Sequence, residues 1–221
     1  MLQAAYTFGK TITDADEGYQ ETNFIDAGDR RLNRAVADFD APQKLALTGV
    51  WEVPLFRSAT GVAGAIVKGW QISGFAIFQK GQPLTVTESL AWPRGDYNAD
   101  NQTGDRPNAP ADGVRRGGWS NAEFLTGILR AADFPLPVRG ANGNLGRNTF
   151  RGPGFAQVDM ALSKQFRITE RVSARLSFDA FNALNRVNLN APSMVLSNNN
   201  FGKATSTLTP RQTQAGLRVR F

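Results

Sequence analysis

Six segments of the chain alternate apolar and polar residues with a period of two, the pattern of a β-strand with two unlike faces. The last, about 211–221, is the clearest. Thr213, Ala215, Leu217, Val219 and Phe221 share one face, and Gln212, Gln214, Gly216, Arg218 and Arg220 share the other. In the fifth, about 171–183, Val172, Ala174, Leu176, Phe178 and Ala180 oppose Arg171, Ser173, Arg175, Ser177 and Asp179. The fourth, about 155–167, sets Ala156, Val158, Met160, Leu162 and Phe166 against Gln157, Asp159, Ser163 and Gln165. Three earlier segments are noisier: about 2–11, about 43–56 (Leu45, Leu47, Trp51, Val53 and Leu55) and about 67–86 (Trp70, Ile72, Gly74, Ala76 and Phe78).

The connections alternate in length. Residues 12–42, 87–154 and 184–209 make long loops, 57–66 a short link, and Ile168-Thr169 a tight turn. Long loops alternating with short turns are the habit of outer-membrane barrels, whose long loops lie outside and short turns in the periplasm. The expected fold is therefore all-β: an antiparallel up-and-down transmembrane β-barrel segment of about six strands, with even-numbered strands descending. Within the longest loop, Ser120-Asn121-Ala122-Glu123 matches a capping box, and Phe124, Leu125, Ile128 and Leu129 follow at helical spacing. That predicts a short helix over about 121–132, packed on its own loop.

Composition agrees and excludes much else. No apolar run reaches the length of a transmembrane helix, and the mean hydropathy of −0.32 hides alternating strands. The 221 residues contain no Cys and no His, which removes disulfides, thiolate or imidazole metal sites and His-based catalysis. A net charge of +6 invites a nucleic-acid reading. The strand pattern instead places several arginines on an enclosed face, and no nucleic-acid partner is expected.

Charge on a lipid-facing strand position costs about 2–4 kcal/mol near the midplane and little at the interfaces. The pattern gives lumen parity to Asp159, Arg171, Arg175, Asp179, Gln212, Gln214, Arg218 and Arg220. Lys10, Lys68, Lys164 and Arg211 have lipid parity near strand ends, where a long stem can snorkel to the headgroups. Lys80 fits only if the third strand projects beyond the bilayer. Trp51, Trp70, Tyr6 and Phe166 suit aromatic girdles. Between the fourth and fifth strands, a register with residue numbers summing to 336 pairs Asp159 with Ser177. It is preferred to 338, which sets Asp159 against Asp179.

Specific motifs accompany the pattern. Gly143-Asn144-Leu145-Gly146-Arg147-Asn148-Thr149-Phe150-Arg151-Gly152-Pro153-Gly154-Phe155 leads into Val158-Asp159-Met160-Ala161-Leu162, and Phe178-Asp179-Ala180-Phe181-Asn182-Ala183-Leu184-Asn185 follows. With Asp38-Phe39-Asp40, Gly69-Trp70-Gln71-Ile72-Ser73-Gly74 and Gly81-Gln82-Pro83-Leu84-Thr85-Val86, this resembles the C-terminal barrel of TonB-dependent outer-membrane receptors. The likeness is to the Oar-like group, which carries a carboxypeptidase-regulatory-like N-terminal domain. The resemblance spans nearly all of residues 1–221. It implies a Gram-negative-type outer membrane, bilayer lipid as a partner, and Phe221 as the signal read by the barrel-assembly machinery. It also implies uptake of a ligand, with the TonB system engaged only through a plug domain that this sequence lacks. No signal peptide begins the chain, and six strands are too few to close a barrel, so an incomplete barrel, a fragment, is expected.

Chemical motifs are sparse. Asp96, Asn98, Asp100 and Asp105 are spaced like the start of a calcium loop, with Asn101 at the position that favours Gly; an Asn/Asp-rich loop of Asx turns is the bland alternative. No other cofactor is indicated. Nucleotide loops are absent and no enzyme is expected. The rival function is a soluble secreted all-β binding module, such as a carbohydrate binder, which shares the alternation but not the loop-length pattern.

Overall fold

The computed structural model describes the chain except residues 15–24, 27, 55–57, 59, 90, 92–93 and 111. One antiparallel sheet carries six strands in sequence order. They are β1 (Leu2–Phe8), β2 (Gln43–Glu52), β3 (Trp70–Gln79), β4 (Phe155–Arg167), β5 (Ser173–Phe181) and β6 (Gln212–Arg220). Every expected strand is present, most of them shorter than the alternation suggests. The expected Leu55 at the end of the second strand lies outside the described residues.

The five registers agree with one another. Each pairs apolar parity with apolar parity, so one row crosses all six strands as Leu2, Gly49, Gly74, Met160, Ala180 and Thr213. That row enters at the first residue of β1 and leaves at the second residue of β6. Such stagger is what tilted barrel strands produce. The sheet is not closed, and among the described residues β1 and β6 each leave an edge without a partner strand.

One register differs from expectation. β4 and β5 pair with residue numbers summing to 340, as in Ser163 with Ser177 and Gln165 with Arg175, not 336. The cause is a turn wider than Ile168-Thr169. The amides of Ile168 and Thr169 both donate to the Val172 carbonyl, and Thr169 Oγ1 accepts from the amides of Arg171 and Val172. Arg171 thus sits in the turn rather than at a strand position.

Shorter strands change the placement of the outward cations. Lys10, Lys68, Lys80 and Arg211 all fall outside the six strands, so Lys80 needs no projecting strand. Residues 61–67, in and beside the expected short link, form a helix, α1 (Gly61–Val67), whose Ile66 carbonyl accepts from Trp70 Nε1 at 3.0 Å. Within the long loop, α2 (Asn121–Thr126) begins at the expected capping box but ends earlier than residue 132. Gly127, at φ 119°, stops it, and a 3-10 turn follows at Ala131–Asp133.

The hydrophobic core is in the loops, not the sheet. Leu84, Val86, Leu129, Phe134, Leu145, Phe150, Met194 and Phe201 form one buried cluster, and Phe124, Leu189 and Ala204 form a second. The helix therefore packs across loops: the Phe124 carbonyl accepts from the Ala204 amide at 2.8 Å. The sheet's apolar face stays bare, with Leu217 70% and Phe178 51% exposed. Among the described residues no helix is long and apolar enough to cross a membrane.

Candidate functional site

Residues 143–155 are the hub where three loops meet. Gly143 lies against the 106–107 backbone so closely that a Cβ would stand 1.9 Å from the Arg106 carbonyl oxygen. Gly81 is equally confined: a Cβ there would stand 1.9 Å from the Gly152 carbonyl oxygen. Only glycine permits such approach. Between them, Leu145 and Phe150 point into the core.

The polar residues of the same stretch point the other way, onto the loop between β1 and β2. Arg147 is buried: Nη1 meets Asp38 Oδ2 at 3.3 Å, Nε donates to the Asn33 carbonyl, and Nη2 donates to the Thr13 carbonyl. Asn148, at φ 57°, donates to the Val36 carbonyl and to Asp38, and accepts from Thr85 Oγ1 at 2.8 Å. Arg151 pairs with buried Asp40 at 2.7 Å. Asp38 and Asp40 thus hold the first long loop onto the hub. These pairs escape sequence reasoning because over a hundred residues separate the partners, although both halves lie in the motifs quoted above.

Beside the hub lies a cavity of about 700 Å³, within the range of small-molecule sites. Lys80, Thr85, Asp105, Arg147, Asn148 and Asn190 supply its polar lining, and Leu84, Phe155, Met194 and Leu208 its apolar lining. It sits where the outer end of β3 and the start of β4 meet the loops. Burial pushes the Asp105 carboxyl up, against the lowering effect of the Asn98 and Tyr97 amides. Glu88, next to Thr87 on the cavity wall, is also pushed up by burial, although Arg94 stands 3.9 Å away.

A raised folded-state pKa gives stability that is full below the unfolded value and is lost as pH rises through the folded value. Glu88 and Asp105 therefore favour the loops at acid pH. Asp26 and Glu123, lowered mainly by hydrogen bonds from Asn142 and the Ser120 amide respectively, oppose them as pH falls. Glu88→Gln is expected to raise the melting temperature of the loops at pH 7 and to change it little at pH 4. Melting followed by Trp fluorescence checks this; an equal shift at both pH values would refute it.

The sheet's polar face carries the other candidates. Asp159 accepts from Gln157 Nε2 and from the Asn182 amide at 2.8 Å, capping the outer end of β5. Asp179 accepts from Gln214 Nε2 at 3.2 Å. Arg175 and Arg218 stand directly opposite each other, a like-charge pair. Arg175 turns away to Gln71 and Ser163, at 2.9 Å each, which eases the repulsion. Gln212, Arg218 and Arg220 share this face, and Phe221 lies just past β6, 94% exposed.

Residues 1–214 match the model of a family described as outer membrane beta barrel domain. The chain belongs to that family. No curated protein and no solved structure matches it. This barrel-domain protein is accordingly a protein of the outer membrane, and its bare apolar face suits hydrocarbon. A soluble module would have to bury that face, so the rival reading is set aside.

In the loop of this barrel domain whose spacing resembles the start of a calcium site, all four side chains accept from backbone amides. Asp105 accepts from the Tyr97 and Asn98 amides, and Asp96 from the Asp100 and Asn101 amides. Asn98 and Asp100 close Asx turns on the amides two residues ahead. Asn101, at φ 70°, takes the left-handed conformation that glycine would supply. Asp100 Oδ2 is buried without a hydrogen-bond partner. Among the described residues no group of three acidic, His or Cys side chains is arranged to hold a metal ion.

Proposed function

We propose that the chain forms part of the wall and outer cap of a TonB-dependent, Oar-like receptor that takes up a ligand across the outer membrane. The observation that carries this reading is the cavity of about 700 Å³ at the hub. It opens beside the end of the sheet, and its walls are built by the very motifs that resemble this group. In this reading the polar face of Asp159, Arg175, Asp179, Gln214, Arg218 and Arg220 lines the lumen below the cavity. A ligand captured among the loops passes down that face. The free edges of β1 and β6 pair with further strands of the barrel, because unpaired backbone groups cannot face hydrocarbon. TonB engages a plug and not this wall.

Cysteine labelling in living cells tests the reading. A water-soluble maleimide should reach Asn190→Cys in the cavity from outside. Collapse of the proton-motive force should change that labelling rate, because a TonB-coupled receptor cycles between states. An unchanged rate refutes energy coupling, and no labelling at all refutes the external placement of the cavity.

A further inference from the structure

Twenty-eight strand positions have outward parity by the registers, and Lys164 is the one charged residue among them. It lies within β4, opposite Trp70 on one side and Leu176 on the other. A snorkelling lysine would extend into water; this one is 2% exposed. Its ammonium sits 5.0 Å from the centroid of the Phe166 ring and 5.7 Å from that of the Trp70 ring. No carboxylate lies within 4.0 Å of it, and no hydrogen-bond acceptor receives it, among the described residues.

Ring faces attract a cation by about 0.5–2 kcal/mol, well short of what burying an ammonium costs. Since no described residue supplies an anion, one from outside the chain would complete the site. Water-soluble anions do not partition to the outer face of a barrel, but phospholipid phosphates are fixed there. The nearby rim is cationic as well: Lys68, Arg167, Arg171 and Arg220 outnumber Glu52 and Glu170. Four residues further along the same strands and on the same face, Gly49 pairs with Gly74 and Gly74 with Met160. With no side chains at the two glycines, an apolar hollow of about 520 Å³ opens among Leu2, Leu47, Trp51, Ile72 and Met160. Four residues of strand span about 13 Å, close to the roughly 15 Å depth of one leaflet.

We propose that Lys164, Trp70 and Phe166 form the headgroup site of a bound phospholipid, whose phosphate neutralises the ammonium and whose acyl chain fills the glycine-floored hollow. The lipid then acts as a structural ligand of the wall at the periplasmic leaflet. This rests on the outer-membrane placement of the apolar face.

Native mass spectrometry of the protein extracted from outer membranes in mild detergent tests the site. The wild-type chain should retain one phospholipid more than Lys164→Gln, with about tenfold weaker retention in the variant, the loss of one charge-assisted hydrogen bond. Lys164→Arg should keep the lipid. Gly74→Leu, which fills the hollow and leaves the lysine, should lose it, and so covers the case in which Lys164→Gln fails to assemble. Equal retention in wild type, Lys164→Gln and Gly74→Leu overturns the proposal. Displacement by millimolar inorganic phosphate also overturns it, as that marks a free-phosphate site. Leu217→Cys separates the premise from the proposal: labelling by a water-soluble maleimide in intact membranes would refute the bilayer placement itself.

Discussion

Arg147→Ala is expected to free the loop between β1 and β2 from the hub and to destabilise its docked state by about 3–5 kcal/mol, the cost of stripping one partner from a buried ion pair. Among the described residues of that loop, the guanidinium joins the Thr13 carbonyl, the Asn33 carbonyl and the Asp38 carboxylate. Its removal takes a donor from two carbonyls and from a carboxylate at once, and Asn148 also donates to that carboxylate. Lys at this position keeps the charge but lacks the planar fork that serves several acceptors, so Arg147→Lys should recover little. Amide hydrogen exchange at Ala37, which donates to the Thr11 carbonyl, reads the docked state directly. The rate there should rise on the order of a hundredfold or more in Arg147→Ala, since each 1.4 kcal/mol is tenfold. Asp38→Asn, which keeps hydrogen-bonding capacity, should fall between. Wild-type exchange in Arg147→Ala would show that the hub does not hold the loop.

The sheet was legible because alternation survives in each strand, and because a wrong face would have to put Asp159 or Arg175 among Val158, Leu176 and Phe178. Its register was not, since register is set at the turn, and Thr169 widens that turn by bonding forward to Arg171 and Val172. Helix α2 showed its start through Ser120 and Glu123, whose side chains act locally. Its end depends on Gly127, whose φ of 119° no periodicity announces. Helix α1 was hidden because Gly-Val-Ala-Gly-Ala-Ile-Val also reads as the approach to a strand. The cavity and hub stayed unseen for a different reason. Leu84, Leu129, Phe150 and Phe201 come from distant segments with no common period, so only the folded loops show them to be one core. Lys164 shares a face with Trp70 and Leu176 in the registers as in the alternation, but alternation cannot show that the Trp70 and Phe166 rings cover it.

Phe150→Ala should separate the stability of the loops from that of the sheet. Phe150 is 0% exposed, and its ring meets Phe134 edge-on at 5.8 Å; Phe134 meets Phe201 the same way, linking the β3–β4 loop to the β5–β6 loop. Truncating such a ring costs about 3–5 kcal/mol. That loss falls on the loops alone, because the loops and the sheet are stabilised in different solvents. The loops stand in water, where burying Phe150, Leu145 and Val86 is favourable. The sheet stands in hydrocarbon, where apolar faces gain nothing from each other and the strand ladders persist because an unpaired amide has no water to turn to. Hydrogen exchange in Phe150→Ala should therefore accelerate at Ile128, which donates to the Gly202 carbonyl, and at Ala204, which donates to the Phe124 carbonyl. Amides within β4 and β5, such as those of Leu162 and Phe178, should keep wild-type rates. Acceleration in both sets would mean that loops and sheet unfold as one unit and that the two-solvent account is wrong.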